Sequence, residues 1–143
     1  MDEIPKLLRC AELEYILLGD LRDLLEEPAD DETAQWLIAV LDVLLKTLPE
    51  EHRLMSDSGY LFEIVENVPH WDQKVADLEN EYYRLLRKLT HLKRQVDSGT
   101  DFQQVANQIS QELQDWMNAF ISHHRQEREL FTLAARYEVG GNG

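Results

Sequence analysis

The sequence predicts an all-α protein whose helices form an antiparallel, up-and-down four-helix bundle. Three observations support this prediction, the first being that apolar residues recur every three or four positions along four long stretches. Most of the six glycines and four prolines stand at the ends of these stretches or outside them. No stretch shows the strict apolar–polar alternation of a half-buried strand. The 143 residues match the size of one ordinary domain, so we predict a single domain over residues 1–143.

The first two helices are predicted from apolar stripes and from the residues at their ends. The first is placed at about residues 5–26, because Pro5 suits a first helical turn and the segment EEPADDET closes the stretch. The second begins at about residues 31–33 and continues to Asn67, with Pro49 as a kink or restart and Gly59 as a weak point. The stripes consist of Leu7, Ala11, Leu18, Leu21 and Leu25, and of Leu37, Leu41, Leu44 and Leu48.

The last two helices have longer stripes. The third starts near Pro69 and ends at DSGTD, where Gly99 suits the position that follows a helix. The fourth opens with Thr100 and Gln103 at the spacing of a capping box, and it ends near EVGGNG. The third stripe is Val75, Leu78, Tyr82, Leu85, Leu89, Leu92 and Val96, and the fourth is Phe102, Val105, Ile109, Leu113, Trp116, Phe120, His123, Glu127, Leu130 and Ala134.

Composition and charge narrow the class of protein. The chain has 14 basic and 28 acidic residues and a formal net charge of −14, which argues against nucleic-acid partners and against docking on anionic membranes. No apolar run approaches the length of a bilayer span, and the start MDEIPKLLRC lacks the apolar region of a signal peptide. Cys10 is the only cysteine, so no intramolecular disulfide can form. We therefore predict an acidic, cytoplasmic protein.

Polar residues on the apolar stripes predict a polar layer inside the bundle. His123 and Glu127 lie on the fourth stripe, four residues apart, so they can bond each other. His52 continues the second stripe and Tyr82 lies on the third. Such a layer is either a hydrogen-bond network or a metal site built from facing helices, and stripe position alone favours the network. The remaining histidines, His70, His91 and His124, are expected at the surface, beside the stripe or at its rim.

Three stretches carry a resemblance to a known family. LPEEHRLMSDSGYLFEIVENVP has a histidine followed by a Gly-Tyr pair, and SHHRQERELFTLAARYEVGGNG has a histidine before acidic residues and a glycine-rich end. VADLENEYYRLLRKL is similar to the third helix of the same family. Together they resemble a hemerythrin-like (HHE cation-binding) domain over nearly the whole chain. That resemblance implies a four-helix bundle whose interior histidines and carboxylates hold two irons.

The chain departs from this family at most of the ligand positions. The family's first helix supplies a histidine, and residues 10–18 contain none. The glutamate expected four residues after His52 is absent, and Tyr82 stands where a histidine is expected. Only the last helix keeps both its histidine, His123, and a carboxylate one turn later, Glu127. The resemblance therefore implies a site that is degenerate in its metal ligands.

The functional expectation follows from this loss of ligands. We expect no enzyme activity, no cofactor and no metal, and a structural, regulatory or protein-interaction role that involves protein partners or self-association. The alternative is a reduced site in which His52, His123 and Glu127 hold iron or a single zinc ion with water as a fourth ligand. Oxygen binding or redox chemistry of the family's kind is the weakest alternative, because it requires donors that the chain lacks.

Overall fold

Four long helices make up most of the part of the chain that the structure describes. The structure is a computed structural model that describes residues 3–59, 65–66, 68–98 and 101–140. The helices are α1 (Glu3–Leu25), α2 (Asp31–Ser58), α3 (Asp72–Val96) and α4 (Phe102–Gly140), and a single 3₁₀ turn (Pro69–Trp71) leads into α3. No strand occurs among the described residues, so the predicted all-α four-helix bundle is confirmed. None of the described helices combines the length and the apolar character that crossing a membrane requires.

Leucines from all four helices meet in the main core. Leu21 of α1, Leu41 of α2, Leu89 of α3 and Leu113 of α4 have no exposed surface. Burial of each such side chain stabilises the fold by about 1.5–3 kcal/mol relative to an exposed one. All four lie on the predicted stripes, so the helical period identified the core face correctly. A second, smaller cluster is formed by Leu78 and Leu130.

Contacts between neighbouring helices show their relative direction. Along α4, Glu112 pairs with Lys88 at 2.9 Å, and the Trp116 indole donates a hydrogen bond to the Leu85 carbonyl oxygen at 2.8 Å. The partner number falls on α3 as the residue number rises on α4, so these two helices run in opposite directions. The same reversal relates α2 to α3, at the pairs Asp42–Lys93 and His52–Glu79.

The ends of α2 are set by local chemistry. The Asp30 carboxylate accepts a hydrogen bond from the Thr33 amide at 2.8 Å, which caps the first turn. The helix passes through Pro49 without restarting and ends before Gly59, which adopts a left-handed conformation at φ 76°. A left-handed residue cannot continue a right-handed helix. α2 therefore ends at Ser58 rather than at the predicted Asn67, and it stops before Gly59, the residue that the sequence indicated as a weak point.

The connection before α4 differs in detail from the expected capping box. The amide of Gln103 donates to the side chain of Asp101 at 3.1 Å, so Asp101 supplies a cap for the first turn of α4. Gly99 and Thr100, which the sequence assigned to the end of α3 and the cap of α4, lie outside the described residues. The helix start itself falls where the pattern placed it.

Replacement of Asp30 with alanine should lower the free energy of unfolding by about 1 kcal/mol, because the first turn of α2 loses its side-chain cap. Urea denaturation followed by circular dichroism measures the change. Gln35→Ala, at an exposed position in the same helix, is the matched control and should be close to neutral. Equal stability of the two variants would contradict the capping role.

Candidate metal site

A layer of polar side chains interrupts the apolar core between the main cluster and the smaller one. Three of its members are deeply buried: Glu14 is 2 % exposed, His123 is 1 % exposed, and Glu51 is also buried. Burial of ionisable groups is costly unless they are paired, protonated or bound to a cation. The layer draws on all four helices and contains Glu14, Glu51, Glu81, Tyr82, His123, His124 and Glu127.

Three of these side chains converge on one point. The Nε2 atom of His124 lies 3.4 Å from Glu51 Oε2 and 3.6 Å from Glu14 Oε2. Among the described residues, this is the group of three metal-ligating side chains whose donor atoms all lie within 4.8 Å of one another. Two ligands that share one tetrahedral zinc ion at bond lengths of about 2.0–2.1 Å are separated by about 3.3 Å. The two distances from the histidine are therefore close to those of ligands around a single ion.

The Glu14 carboxyl group lies in surroundings that disfavour its charged form. Neither of its oxygens has a hydrogen-bond partner, although both are buried. Burial and, next, the neighbouring Glu51 carboxylate raise the pKa of Glu14 to about 10. Without a cation, the group therefore stays protonated at neutral pH. A divalent ion at the convergence point would supply the positive charge that this pair of carboxylates lacks.

His123 is held by two carboxylates on opposite sides of its ring. Its Nδ1 atom lies 2.6 Å from Glu81 Oε1, and its Nε2 atom lies 3.2 Å from Glu127 Oε1. Burial alone would lower the pKa of His123, but the carboxylates of Glu127 and Glu81 outweigh this effect and raise it. His123 Nδ1 is thus hydrogen-bonded to Glu81, whereas Nε2 faces the Glu127 carboxylate without forming a hydrogen bond. His123 therefore links α3 to α4 within the layer.

His52 and Tyr82 close the layer on the α2–α3 side. Their rings stack with centroids 4.0 Å apart and planes inclined by 6°, and His52 Nε2 lies 3.4 Å from Glu79 Oε1. Tyr82 is buried, which confirms its predicted interior position, and burial is the main cause that raises its pKa to about 12. Both residues line one narrow cavity with His123 and Glu127, as the predicted polar layer requires.

The three residual ligands named from the sequence do not form the convergent group. His52, His123 and Glu127 contribute no donor atom to it, because His52 lies against Glu79 and His123 lies between Glu81 and Glu127. His124, which was expected at the rim of the bundle, is half-buried and central to the group.

Sequence reasoning missed Glu14 and Glu51, although a signal was present for both. Glu14 stands between Ala11 and Leu18 on the stripe of α1, and Glu51 follows Leu48 by three residues on α2. A charged residue at an inward stripe position requires a partner. The family pattern predicts a histidine in α1, whereas the inward position is taken by the carboxylate of Glu14.

Two cavities flank the cluster along the line where α1 faces α4. One, of about 300 Å³, is bordered by Glu51 and His124 and is called the apolar cavity here. The other, of about 280 Å³, is bordered by Glu14 and His124 and includes Arg125 and Arg128 in its wall. The residues of the cluster thus contribute to the walls of both cavities.

The remaining histidines and tryptophans lie away from the cluster. His70 and His91 are exposed, and His70 accepts a hydrogen bond from the Trp71 indole at 2.7 Å. Trp116 is buried in the main core, whereas Trp36 is mostly exposed.

Comparisons of the chain with protein-family models, with curated proteins and with solved structures found no match. The resemblance to hemerythrin-like domains therefore rests on the sequence motifs. The function is inferred from the geometry of the site.

Proposed function

We propose that this bundle binds one divalent transition-metal cation through Glu14, Glu51 and His124. The observation that carries the proposal is the meeting of these three donors inside the bundle, with the Glu14 carboxyl group buried and without a hydrogen-bond partner. A structural network would normally satisfy such a group, because an unsatisfied buried polar group costs about 1–3 kcal/mol. A bound cation removes this cost.

The donor set indicates the kind of metal. One imidazole and two carboxylates suit Zn²⁺ or Fe²⁺, whereas Mg²⁺ and Ca²⁺ prefer oxygen ligands alone. Three protein ligands leave a fourth coordination position for water or another ligand. We favour one ion over two, because the carboxylates of Glu81 and Glu127 face His123 and would have to leave it to bind a second ion.

The proposal develops the reduced-site alternative drawn from the sequence, with different ligands. A hemerythrin-like domain that had lost its di-iron set would keep a polar layer at the same depth of the bundle. Here Glu14 supplies a donor from α1, and His124 replaces His123 as the ligand from α4. Within this proposal the protein is a hemerythrin-like, metal-binding bundle without enzyme activity of its own.

Titration of metal-free protein with Zn²⁺ should give saturable binding of about one ion per chain. The free energy of unfolding should rise by about 2.7 kcal/mol when free zinc is about 100 times the dissociation constant. Calorimetry measures the binding, and denaturation in the presence and absence of zinc measures the stabilisation. Mg²⁺ at the same concentration is the control and should stabilise less, because the imidazole favours zinc.

A second candidate is the non-catalytic interaction role expected from the sequence. Its support is the large apolar side chains that remain exposed, among them Tyr15, Ile16 and Trp36. These residues would contact a protein partner or a second copy of the chain. The zinc titration separates the two candidates: absence of saturable zinc binding would contradict the metal proposal and leave the interaction role.

A further inference from the structure

The apolar cavity has walls that fit a hydrocarbon chain. It lies between α1, α2 and α4, and its walls are formed by Ile4, Leu7, Leu8, Ala11, Met55 and Phe131. Ile4 and Leu8 are exposed to solvent although both are large and apolar. A ligand that covered them would remove apolar surface from water, which is the usual driving force for binding of such groups.

The inner end of the same cavity is polar and belongs to the metal cluster. Glu51 and His124, two of the three proposed ligands, border the cavity, and Glu127 lies beside them. The fourth coordination position of an ion bound there is therefore within reach of a molecule that fills the cavity. Apolar walls with a few polar groups at one end are typical of a site for an amphipathic small molecule.

The proposed metal determines the charge of the head group. Without a cation, the carboxylates of Glu51 and Glu127 would repel an anionic head group and attract an amine. A divalent ion held by Glu14, Glu51 and His124 would instead offer a coordination position to a carboxylate oxygen. Arg128, which also borders the cavity, adds a second positive charge for an anion.

The volume of the cavity limits the size of the ligand. About 300 Å³ is at the lower end of the usual range of about 300–1,000 Å³ for ligand pockets. A straight-chain carboxylic acid of about eight carbons, which has about ten non-hydrogen atoms, suits a pocket of this size.

We infer that the apolar cavity binds a medium-chain monocarboxylate whose head group completes the coordination of the metal. This inference rests on the proposed function, because the metal provides the attraction for the anionic head group. The apolar tail lies against α1 and against Met55 and Phe131. The site thus combines a metal ion that binds the carboxylate with apolar walls that contact the hydrocarbon chain.

Calorimetric titration of octanoate into zinc-loaded protein tests this inference. We expect saturable binding that weakens by at least about tenfold in metal-free protein, because the metal contact is lost. Leu8→Glu should weaken octanoate binding to the zinc-loaded protein by at least about tenfold, through lost apolar contact and a new negative charge. The same variant should keep its zinc affinity, which shows that it is folded.

Ile16→Glu is the matched control. Ile16 is 57 % exposed and Leu8 is 62 % exposed, both lie on α1, and only Leu8 borders the cavity. Zinc binding without octanoate binding would overturn the inference and leave the metal proposal intact. Equal octanoate affinity with and without zinc, or tighter binding of octylamine to metal-free protein, would also overturn it. Absence of zinc binding would overturn both proposals.

Discussion

Replacement of Glu14 with glutamine should lower the affinity for Zn²⁺ by more than about 100-fold. Loss of an outer-shell partner of a metal ligand already costs about 10–100-fold, and Glu14 is proposed as a direct ligand. Glutamine keeps the shape of the side chain but carries no negative charge to offset the ion. Zinc titration of the variant measures the loss.

The same substitution should stabilise the metal-free protein, and the gain should grow with pH. The pKa of Glu14 is raised from 4.5 to about 10 by burial and by Glu51, so between these values the folded protein keeps a proton that the unfolded chain loses. The unfolding free energy of the wild type therefore falls as pH rises, at up to about 1.4 kcal/mol per pH unit. Glutamine does not titrate, so the unfolding free energy of the variant does not fall with pH for this reason.

Glu12→Gln provides the control for both measurements, because Glu12 is exposed on the same helix. It should bind zinc as the wild type does and show no comparable pH-dependent gain. If Glu14→Gln binds zinc as tightly as the wild type, the ion lies elsewhere. If the metal-free variant is less stable than the wild type at high pH, burial and Glu51 do not destabilise the charged form of Glu14.

The core could be read from the sequence because each helix encodes its own inward face. Four buried leucines lie on the predicted stripes: Leu21, Leu41, Leu89 and Leu113. An apolar stripe is removed from water when its helix packs that face against the other helices. The residue at which a helix ends depends on local backbone conformation, which the apolar stripe does not specify. Gly59 was identified as a weak point, but its left-handed conformation, which stops α2, is a property of the folded chain.

The composition of the candidate site could not be read in the same way. Its residues come from three helices, and their meeting depends on how far each helix is shifted along its neighbour and rotated about its own axis. Glu51 and His52 differ by about 100° around α2. The sequence pattern favoured His52, whereas packing turns Glu51 toward α1 and α4 and leaves His52 stacked on Tyr82.

His123→Leu has opposite expected outcomes from the sequence and from the structure. From the sequence alone, the substitution is expected to be tolerated or mildly stabilising, since it removes a buried polar group. The structure adds a contact to Glu81 at 2.6 Å and places Glu127, the neighbour expected from the sequence, at 3.2 Å. We therefore expect a loss of about 3 kcal/mol, mainly because the largely buried Glu127 is left without its partner.

This loss should depend on pH, because the carboxylates raise the pKa of His123 above its ordinary value of 6.5. A raised folded-state pKa stabilises the protein fully below the unfolded pKa, and that stabilisation disappears as pH rises through the folded pKa. The difference between wild type and His123→Leu should therefore be larger at about pH 6 than at about pH 9. Denaturation at both pH values, in metal-free buffer, measures it.

A double variant separates the imidazole from the carboxylate that it holds. His123→Leu with Glu127→Leu should recover much of the stability lost in the single variant, because no buried charge is left unpaired. His91→Leu, at an exposed position of α3, is the control for the loss of a histidine and should be close to neutral. A single variant as stable as the wild type at about pH 6 would show that the two carboxylates do not depend on His123. A double variant no more stable than the single one would show that the cost lies in the lost contact to Glu81, since that contact is absent from both variants.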